Sequence, residues 1–145
     1  MTPRFRKRDK VSTTAASELI ASAAADLISA HAAVVAPLRT IAAGRCSPDE
    51  AMDAFADSRA AELQVAQAEA FYFAVLKVWG ATTHGISIAA GCRVATVTRR
   101  IASHRKAAAL ASARGCDLKR VESGGWTIQR YQQRPPAPAA PQEEL

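Results

Sequence analysis

One stretch decides the fold of this chain: Ile86-Ser87-Ile88-Ala89-Ala90-Gly91-Cys92-Arg93-Val94-Ala95-Thr96-Val97-Thr98-Arg99-Arg100-Ile101. Its apolar spacing indicates two short helices that meet at a turn. Gly91 would adopt the positive φ that such a turn needs, because glycine has no Cβ to clash there. Ser87 is small enough for the second helix to cross the first closely.

The same stretch supplies the apolar contacts that two crossing helices would share. Ile86 and Ala90 are predicted to anchor the first helix, and Val97 and Ile101 to line the inner face of the second. Cys92 is predicted to be a small buried thiol. If Val97 and Ile101 face inward, the outward face of the same helix carries Ala95, Thr98, Arg99, Ala102 and Lys106.

These residues resemble the helix-turn-helix family, especially the bacterial form found in the lactose-repressor class and in small actinobacterial or phage regulators. The matching segments are Ile86-Ser87, Ala90-Gly91-Cys92 and Thr96-Val97-Thr98-Arg99. The chain departs from that pattern at Ser87, Cys92 and Arg93, where the family usually has Ala, Val and a Ser or Thr cap.

The resemblance implies that the second helix, residues 93–103, enters the major groove of double-stranded DNA. By position, it implies base-reading roles for Arg93, Val94, Ala95, Thr98 and Arg99. An arginine such as Arg99 can bond guanine O6 and N7 together. Contacts to the DNA backbone are expected from Thr96, Arg100, Arg105 and Lys106, since basic side chains that bind phosphates set register rather than sequence.

Downstream, strand-forming residues at 116–122 and 126–131 flank Ser123-Gly124-Gly125 and predict a β-hairpin. A lone hairpin is marginal in water, so its apolar residues need a helix to pack on: Leu118, Val121, Trp126 and Ile128. The arrangement resembles the wing of a winged-helix domain, which implies DNA-backbone or minor-groove contacts by Lys119, Arg120 and Arg130. The spacing from Arg93 to Gly115 leaves two possibilities, a long recognition helix or a break near Ser103-His104.

Upstream, two long helices are expected. The first is predicted from Thr13 or Thr14 to about Ala43, with a kink or a split after Ala36 because Pro37 cannot donate a backbone hydrogen bond. Ser47-Pro48-Asp49-Glu50 is typical of a helix start, and the second helix is predicted to run to Trp79, with a possible break near its middle. The fold class is therefore mainly α with a C-terminal two-stranded wing.

Charge divides the chain into blocks that match these regions. The net charge is +6, made up of +4 in residues 1–10, −4 in 11–83, +7 in 84–131 and −1 in the rest. We expect residues 1–12 to be a disordered basic arm, 13–79 an oligomerisation region, 80–131 the DNA-binding domain, and the Pro/Ala-rich 132–145 a disordered tail. Positive charge confined to two blocks is typical of a phosphate-binding surface.

Signals for other chemistry are weak. Cys46, Cys92 and Cys116 are too widely spaced for a disulfide framework or a zinc site, so no metal or cofactor is expected. No phosphate-binding glycine loop, catalytic triad or metal-ligand cluster is evident, and we expect no enzymatic activity. We see neither a signal peptide nor an apolar run that spans a bilayer, and predict a cytoplasmic protein with no membrane contact.

Three functional interpretations remain open at this point. The leading one is a transcriptional regulator that binds double-stranded DNA as a homodimer or higher homo-oligomer through 13–79. The second keeps DNA binding but assigns an architectural role or a role in phage DNA packaging. The third is a helical protein-interaction module that binds no nucleic acid and whose basic block contacts an acidic partner.

Overall fold

The computed structural model describes residues 3–129, and this part of the chain is mainly helical. In chain order its elements are α1 Lys10–Ala42, α2 Pro48–Trp79, α3 Thr83–Ala90, α4 Val94–Ala102, α5 Arg105–Ala111, a 3-10 turn Gly115–Asp117, and strands β1 Leu118–Val121 and β2 Gly125–Ile128. The predicted mainly α class with a small C-terminal sheet is confirmed. Arg130 and the predicted tail at 132–145 lie outside the described residues.

Helices α1 and α2 form an antiparallel hairpin that makes up more than half of the described chain. The start and end of α2 are as predicted: Ser47 Oγ accepts a hydrogen bond from the Glu50 N–H at 3.1 Å, and Gly80 ends the helix with a φ of 112°. Helix α1 starts earlier than predicted, because the carboxylate of Asp9 caps it by accepting from the Ser12 N–H at 3.0 Å.

The two long helices are unbroken, so a split of α1 after Ala36 is wrong, and α2 does not break in its middle. Pro37 lies inside α1, where it removes one backbone hydrogen bond. Close to the proline, the buried Ser58 hydroxyl donates a hydrogen bond to the Val34 carbonyl oxygen at 2.8 Å and joins the two helices.

Alanine dominates the contact between α1 and α2. Ala16, Ala23 and Ala30 on α1 and Ala54 and Ala70 on α2 are all buried. Methyl side chains allow two helix backbones to approach closely, but each buries little apolar area. The larger core side chains collect where the smaller helices pack on the end of α2: Phe73, Val75, Val78, Ile86, Val97, Ile101 and Leu110.

Helices α3 and α4 meet at a turn centred on Gly91, which has a φ of 67° and a ψ of 31°. This left-handed conformation caps α3 and redirects the chain into α4, as the sequence predicted for this glycine. Ser87 is buried beneath the turn, and Cys92 is partly buried. Of the predicted anchors, only Ala90 is wrong: it is exposed at the last position of α3, where no other element packs over it.

The helix that follows the turn ends at Ala102, and a separate helix, α5, starts at Arg105. The break falls at Ser103-His104, one of the two possibilities left open by the spacing. The Ser103 hydroxyl donates to the Arg99 carbonyl oxygen at 2.7 Å, and His104 is extended, with a φ of −120° and a ψ of 115°. A serine hydroxyl that bonds back to the preceding turn competes with helix continuation.

The predicted β-hairpin is confirmed: β1 and β2 are antiparallel, and Leu118 pairs with Ile128. It packs on the helical core, as the instability of a lone hairpin requires. Leu118 is buried, and Trp126 and Ile128 are partly buried against the core. Val121, which was expected to pack with them, is instead exposed beside the turn.

The basic N-terminal segment is ordered over residues 3–9, in contrast to the predicted disorder of residues 1–12. Phe5 forms a β-bridge with Ala81, the Arg6 N–H donates to the Gly80 carbonyl oxygen at 2.7 Å, and the Thr82 N–H donates to the Arg4 carbonyl oxygen at 2.9 Å. The prediction failed because these partners are more than seventy residues away and cannot be recognised from local composition.

Helix α1 is long and apolar enough to cross a membrane by length and composition alone, with a mean hydropathy of 1.7 over its most apolar 18 residues. The expectation that no such run exists is therefore wrong. Only 11% of that window is buried. The high hydropathy arises from alanines mixed with isoleucine, leucine and valine, which sequence inspection counted as an interrupted amphipathic stripe.

Candidate nucleic-acid interface

One side of α4 projects small and basic side chains into solvent. Val94, Ala95, Thr98 and Arg99 are exposed, whereas Val97 and Ile101 on the other side are buried. Four of the five residues predicted to read bases therefore share the accessible side of one short helix. Small side chains on that side leave room for a neighbouring surface to approach the helix backbone.

The start of α4 carries the fifth predicted residue, Arg93. It occupies the N-cap position, is exposed and makes no side-chain capping hydrogen bond. Its guanidinium is thus available beside the first turn of α4. Thr96, predicted to contact the DNA backbone, is partly buried in that turn. The Thr98 hydroxyl donates to the Val94 carbonyl oxygen at 3.1 Å, which holds the orientation of its side chain.

The stretch of sequence that contains α4 carries charge of one sign. Between Glu69 and Asp117 the chain has no acidic residue, although this stretch carries Lys77, Arg93, Arg99 and several further basic residues. Such a field attracts anions and raises their local concentration. The exposed side of α4 lies within this stretch.

Arg100 does not belong to the exposed side. Its guanidinium forms an ion pair with the Glu69 carboxylate on α2, and both side chains are partly buried. To make the predicted DNA-backbone contact, Arg100 would have to give up this ion pair. The arginine instead helps to hold α4 against the long hairpin, a pairing that sequence reasoning missed because the partners are far apart in the chain.

Arg105 and Lys106 lie on α5, beyond the break, and so do not continue the exposed side of α4. Lys106 Nζ lies 4.8 Å from the ring centroid of Phe71 on α2, which is a cation–π geometry. The prediction that Lys106 shares a face with Thr98 is therefore wrong, because it assumed one continuous helix. Both basic residues border an open cleft of about 770 Å³ between α5 and the long hairpin, together with Asp26, Gln64, Gln67 and His104.

The β-hairpin carries two of the three basic residues predicted for the wing. Lys119 is exposed on β1. Arg120 lies with its guanidinium 5.0 Å from the centroid of the Trp126 ring and forms a 2.7 Å ion pair with Glu18 of α1. Arg120 therefore helps to fix the hairpin on α1, and it would have to give up this pair to contact DNA.

Two carboxylates near these contacts have a lowered pKa. The pKa of Glu18 lies below its usual value, mainly because the Trp126 indole N–H donates to it and then because Arg120 does. The pKa of Asp9 is lowered by hydrogen bonds from the backbone N–H and the hydroxyl of Ser12. Both groups stabilise local structure in their ionised form, one at the β-hairpin and one at the start of α1.

Over residues 3–129 the structure has no cluster of three or more His, Cys, Asp or Glu side chains that could hold a metal ion. Cys46 and Cys116 are exposed, and Cys92 is partly buried next to the Gly91 turn. Sequence reasoning did miss one group of basic residues, Arg6, Lys7 and Arg8. The positive charge of residues 1–10 indicated these residues. Because the arm was expected to be disordered, no position in the fold could be assigned to their side chains.

Comparison with known proteins adds no relative. The chain matches no protein-family model, no curated protein and no solved structure. Functional inference for this chain therefore depends on its own residues and their geometry.

Proposed function

We propose that this protein is a sequence-specific double-stranded DNA-binding protein, a transcriptional regulator that acts as a dimer, with α3, the Gly91 turn and α4 serving as a helix-turn-helix. The observation that carries the proposal is the exposed side of α4. Ala95, Thr98 and Arg99 project there from a short helix whose opposite side is buried. A helix of this kind fits the major groove, where each base pair presents a distinct pattern of donors and acceptors.

In this proposal α4 reads bases, and exposed cations around it bind phosphates. Arg99 is the strongest candidate for a bidentate contact to guanine, a contact that contributes about 1–3 kcal/mol of discrimination against other bases. Arg93, at the start of α4, and Lys119, on β1, are exposed and free to follow the backbone. The β-hairpin serves as the wing, and its docking on α1 orients it relative to the body.

Dimerisation through the long hairpin is supported by the apolar residues it exposes. Ile28, Met52 and Phe55 are 70%, 71% and 60% exposed. Each directly follows a residue that is at least partly buried, namely Leu27, Ala51 or Ala54. In an antiparallel pair of helices, the positions that follow the contact residues lie on the same side of both helices. Val35 and Leu38 extend this side. Large apolar side chains grouped on one face are typical of an interaction surface.

A cytoplasmic location is part of the proposal. Helix α1 packs along α2, and α2 carries eight charged residues. Charged side chains are costly inside a bilayer, so the hairpin as folded is unsuited to one. The exposed apolar face is better covered by a second copy of the hairpin, since the two faces are identical in character.

A second candidate function, an architectural or DNA-packaging protein, is favoured by the same exposed face. A long hairpin with an apolar side can assemble into a ring or scaffold as well as into a dimer. The two candidates differ in oligomeric mass: a regulator is a dimer or tetramer, whereas a packaging ring is much larger. Sedimentation of the full chain, free and with duplex DNA, separates them.

The test of the proposed function is selection of bound sites from a pool of random duplexes. We expect one enriched motif for the wild-type protein, with two related half-sites if it is a dimer. Arg99→Ala should relax the preference at one base of each half-site. The matched control Arg39→Ala removes an exposed cation near the far end of α1 and should leave the motif unchanged.

Two results would overturn the proposal. One is the absence of duplex binding at low salt, which would favour a protein-interaction module. The other is duplex binding with no enriched sequence, which would favour the architectural role. If the protein binds DNA as a regulator or as an architectural protein, the logarithm of its affinity should fall linearly with the logarithm of the salt concentration, with a slope of about −0.9 for each phosphate contacted.

A further inference from the structure

The N-terminal arm is held in a defined position beside the junction of α2 and α3. Its backbone pairs with residues 80–82 through the Arg6–Gly80 and Thr82–Arg4 hydrogen bonds. The Thr82 hydroxyl adds a contact to the Pro3 carbonyl oxygen at 2.9 Å. These bonds fix where the basic side chains of residues 6–8 emerge.

Those side chains border a recess of about 470 Å³. Arg6, Lys7 and Arg8 come from the arm, and Lys77 comes from the last turn of α2. Lys77 Nζ donates to the Thr83 hydroxyl oxygen at 3.0 Å, so that hydroxyl can donate its own proton into the recess. None of the described residues that line the recess carries a carboxylate.

Four cations around one recess repel one another, and the fold keeps them together without an acidic partner among the lining residues. Arg8 lies beside Asp9, whose pKa it helps to lower, yet its own guanidinium is incompletely hydrogen-bonded. Its Nε is shielded from solvent and has no hydrogen-bond partner within residues 3–129, while its Nη2 makes only a long 3.5 Å contact to the Ala113 carbonyl oxygen. An anion with several acceptor oxygens would relieve the repulsion and accept from the guanidinium groups.

We propose that this recess is a phosphate-binding site, formed by Arg6, Lys7, Arg8 and Lys77 with the Thr83 hydroxyl. Several donors that converge from two segments suit a tetrahedral oxyanion, and arginine recognises phosphate well because its guanidinium can donate two parallel hydrogen bonds. The phosphate has two possible sources, a group of the duplex backbone or a free phosphate compound. The first source depends on the proposed function, and the second does not.

If the phosphate belongs to duplex DNA, the arm acts as a backbone clamp at the start of α3. It would add affinity but no sequence information, because every nucleotide carries the same phosphate. This role gives the basic arm a place in the complex separate from that of α4. It also assigns a function to the four cations that the base-reading helix does not use.

The test uses two variants of the full chain that disturb the recess in different ways. The double variant Arg6→Gln/Lys7→Gln removes two charges. Gly85→Ala leaves all charges in place, but its added Cβ would lie 2.9 Å from the Arg4 backbone oxygen and push the arm away. The same Cβ would lie 3.1 Å from the Thr82 hydroxyl oxygen, which caps α3, so the helix content of this variant is checked by far-UV circular dichroism. The control Arg39→Gln/Arg45→Gln removes two exposed charges near the far end of the hairpin.

Binding is measured with two probes, inorganic pyrophosphate, followed by NMR shifts of the Gly80 and Thr83 amides, and a random-sequence duplex at several salt concentrations. We expect both recess variants to lose pyrophosphate binding. We expect them to bind duplex more weakly, with a salt slope reduced by about 0.9 for the single phosphate lost. The control should match wild type with both probes.

Each outcome has a distinct meaning. Loss with both probes supports a site filled by the DNA backbone. Loss with pyrophosphate alone supports the phosphate site but overturns the clamp on DNA. If the wild type binds pyrophosphate through the recess but binds no duplex, the proposed function fails while the site remains. If the recess variants and the control behave alike with both probes, the phosphate site itself is overturned.

Discussion

Trp126 on β2 donates its indole N–H to Glu18 Oε2 on α1 with a donor–acceptor distance of 2.6 Å, although the two residues are 108 positions apart in sequence. The other oxygen of the same carboxylate accepts from Arg120 on β1. One glutamate thus connects both strands of the β-hairpin to the first helix. This contact sets the position of the hairpin relative to the rest of the molecule.

Glu18→Ala is expected to loosen the β-hairpin without unfolding the helices. The change removes the acceptor for both Trp126 and Arg120, while Leu118 remains buried in the core. In a Trp79→Phe background, which leaves Trp126 as the one tryptophan, its fluorescence should shift to longer wavelength as the ring becomes hydrated. Far-UV circular dichroism should be unchanged.

The control for this prediction is Glu122→Ala, which removes an exposed carboxylate from the hairpin turn. It should leave the emission of Trp126 at the wild-type wavelength. An unchanged spectrum in Glu18→Ala as well would show that the carboxylate does not hold the hairpin.

Acid should release the β-hairpin in the same way. Because the folded state lowers the pKa of Glu18, its contribution to stability is fully present above the ordinary glutamate pKa and is lost as the pH falls through the lower, folded value. The indole N–H resonance of Trp126, followed from about pH 6 to pH 3, should therefore move with a midpoint below that ordinary value.

The matched variant for the titration is Glu18→Gln, which keeps an oxygen acceptor for the indole but carries no charge. Its Trp126 resonance should not move over the same range. A wild-type midpoint at or above the ordinary pKa of glutamic acid would contradict the hydrogen-bonded, ionised carboxylate described above.

Gly91→Ala should destabilise the protein by about 1 kcal/mol, the cost of holding a residue with a Cβ in the left-handed region. A Cβ at this position would meet no residue beyond the local backbone within 4 Å, so the cost comes from the backbone conformation and not from tertiary packing. Urea unfolding measures the difference. Gly91→Asn should cost less, because asparagine adopts this region more readily. Equal losses in the two variants would argue against a conformational origin.

Self-association should depend on the exposed side of the long hairpin. Ile28→Gln and Phe55→Gln each replace a large exposed apolar side chain there, and each should weaken the proposed dimer in sedimentation equilibrium. Ile88→Gln is the control, since Ile88 is 66% exposed but lies on α3, away from the hairpin. A wild-type chain that remains monomeric at high concentration would remove the dimer from the proposal.

The parts of the fold that were predictable from sequence are those with local signals. The Ser47 cap and Gly80 mark the ends of α2 because capping chemistry acts within one helical turn. Gly91 marks the turn after α3 for the same reason, since only its own backbone conformation is involved. The β-hairpin was likewise predictable, because Gly124-Gly125 indicates a turn between its two strands.

Two of the errors share a cause, which is contact between residues distant in sequence. The ion pair of Arg100 was missed because nothing near it in the chain indicates Glu69 as its partner. The arm was assigned to disorder because its hydrogen bonds are made to Gly80 and Thr82. Lys106 was misplaced for a local reason, because the chain breaks between α4 and α5 at Ser103-His104, which contains neither glycine nor proline.

The alanine contact between α1 and α2 also limits how this protein can change by mutation. A methyl group is nearly the smallest side chain available, so positions such as Ala23 and Ala30 can accept little besides glycine or serine. A bulkier side chain at such a position would push the two long helices apart. The exposed side of the same two helices has no such restriction on side-chain size. Substitutions on the exposed side can therefore accumulate while the alanine contact remains almost unaltered.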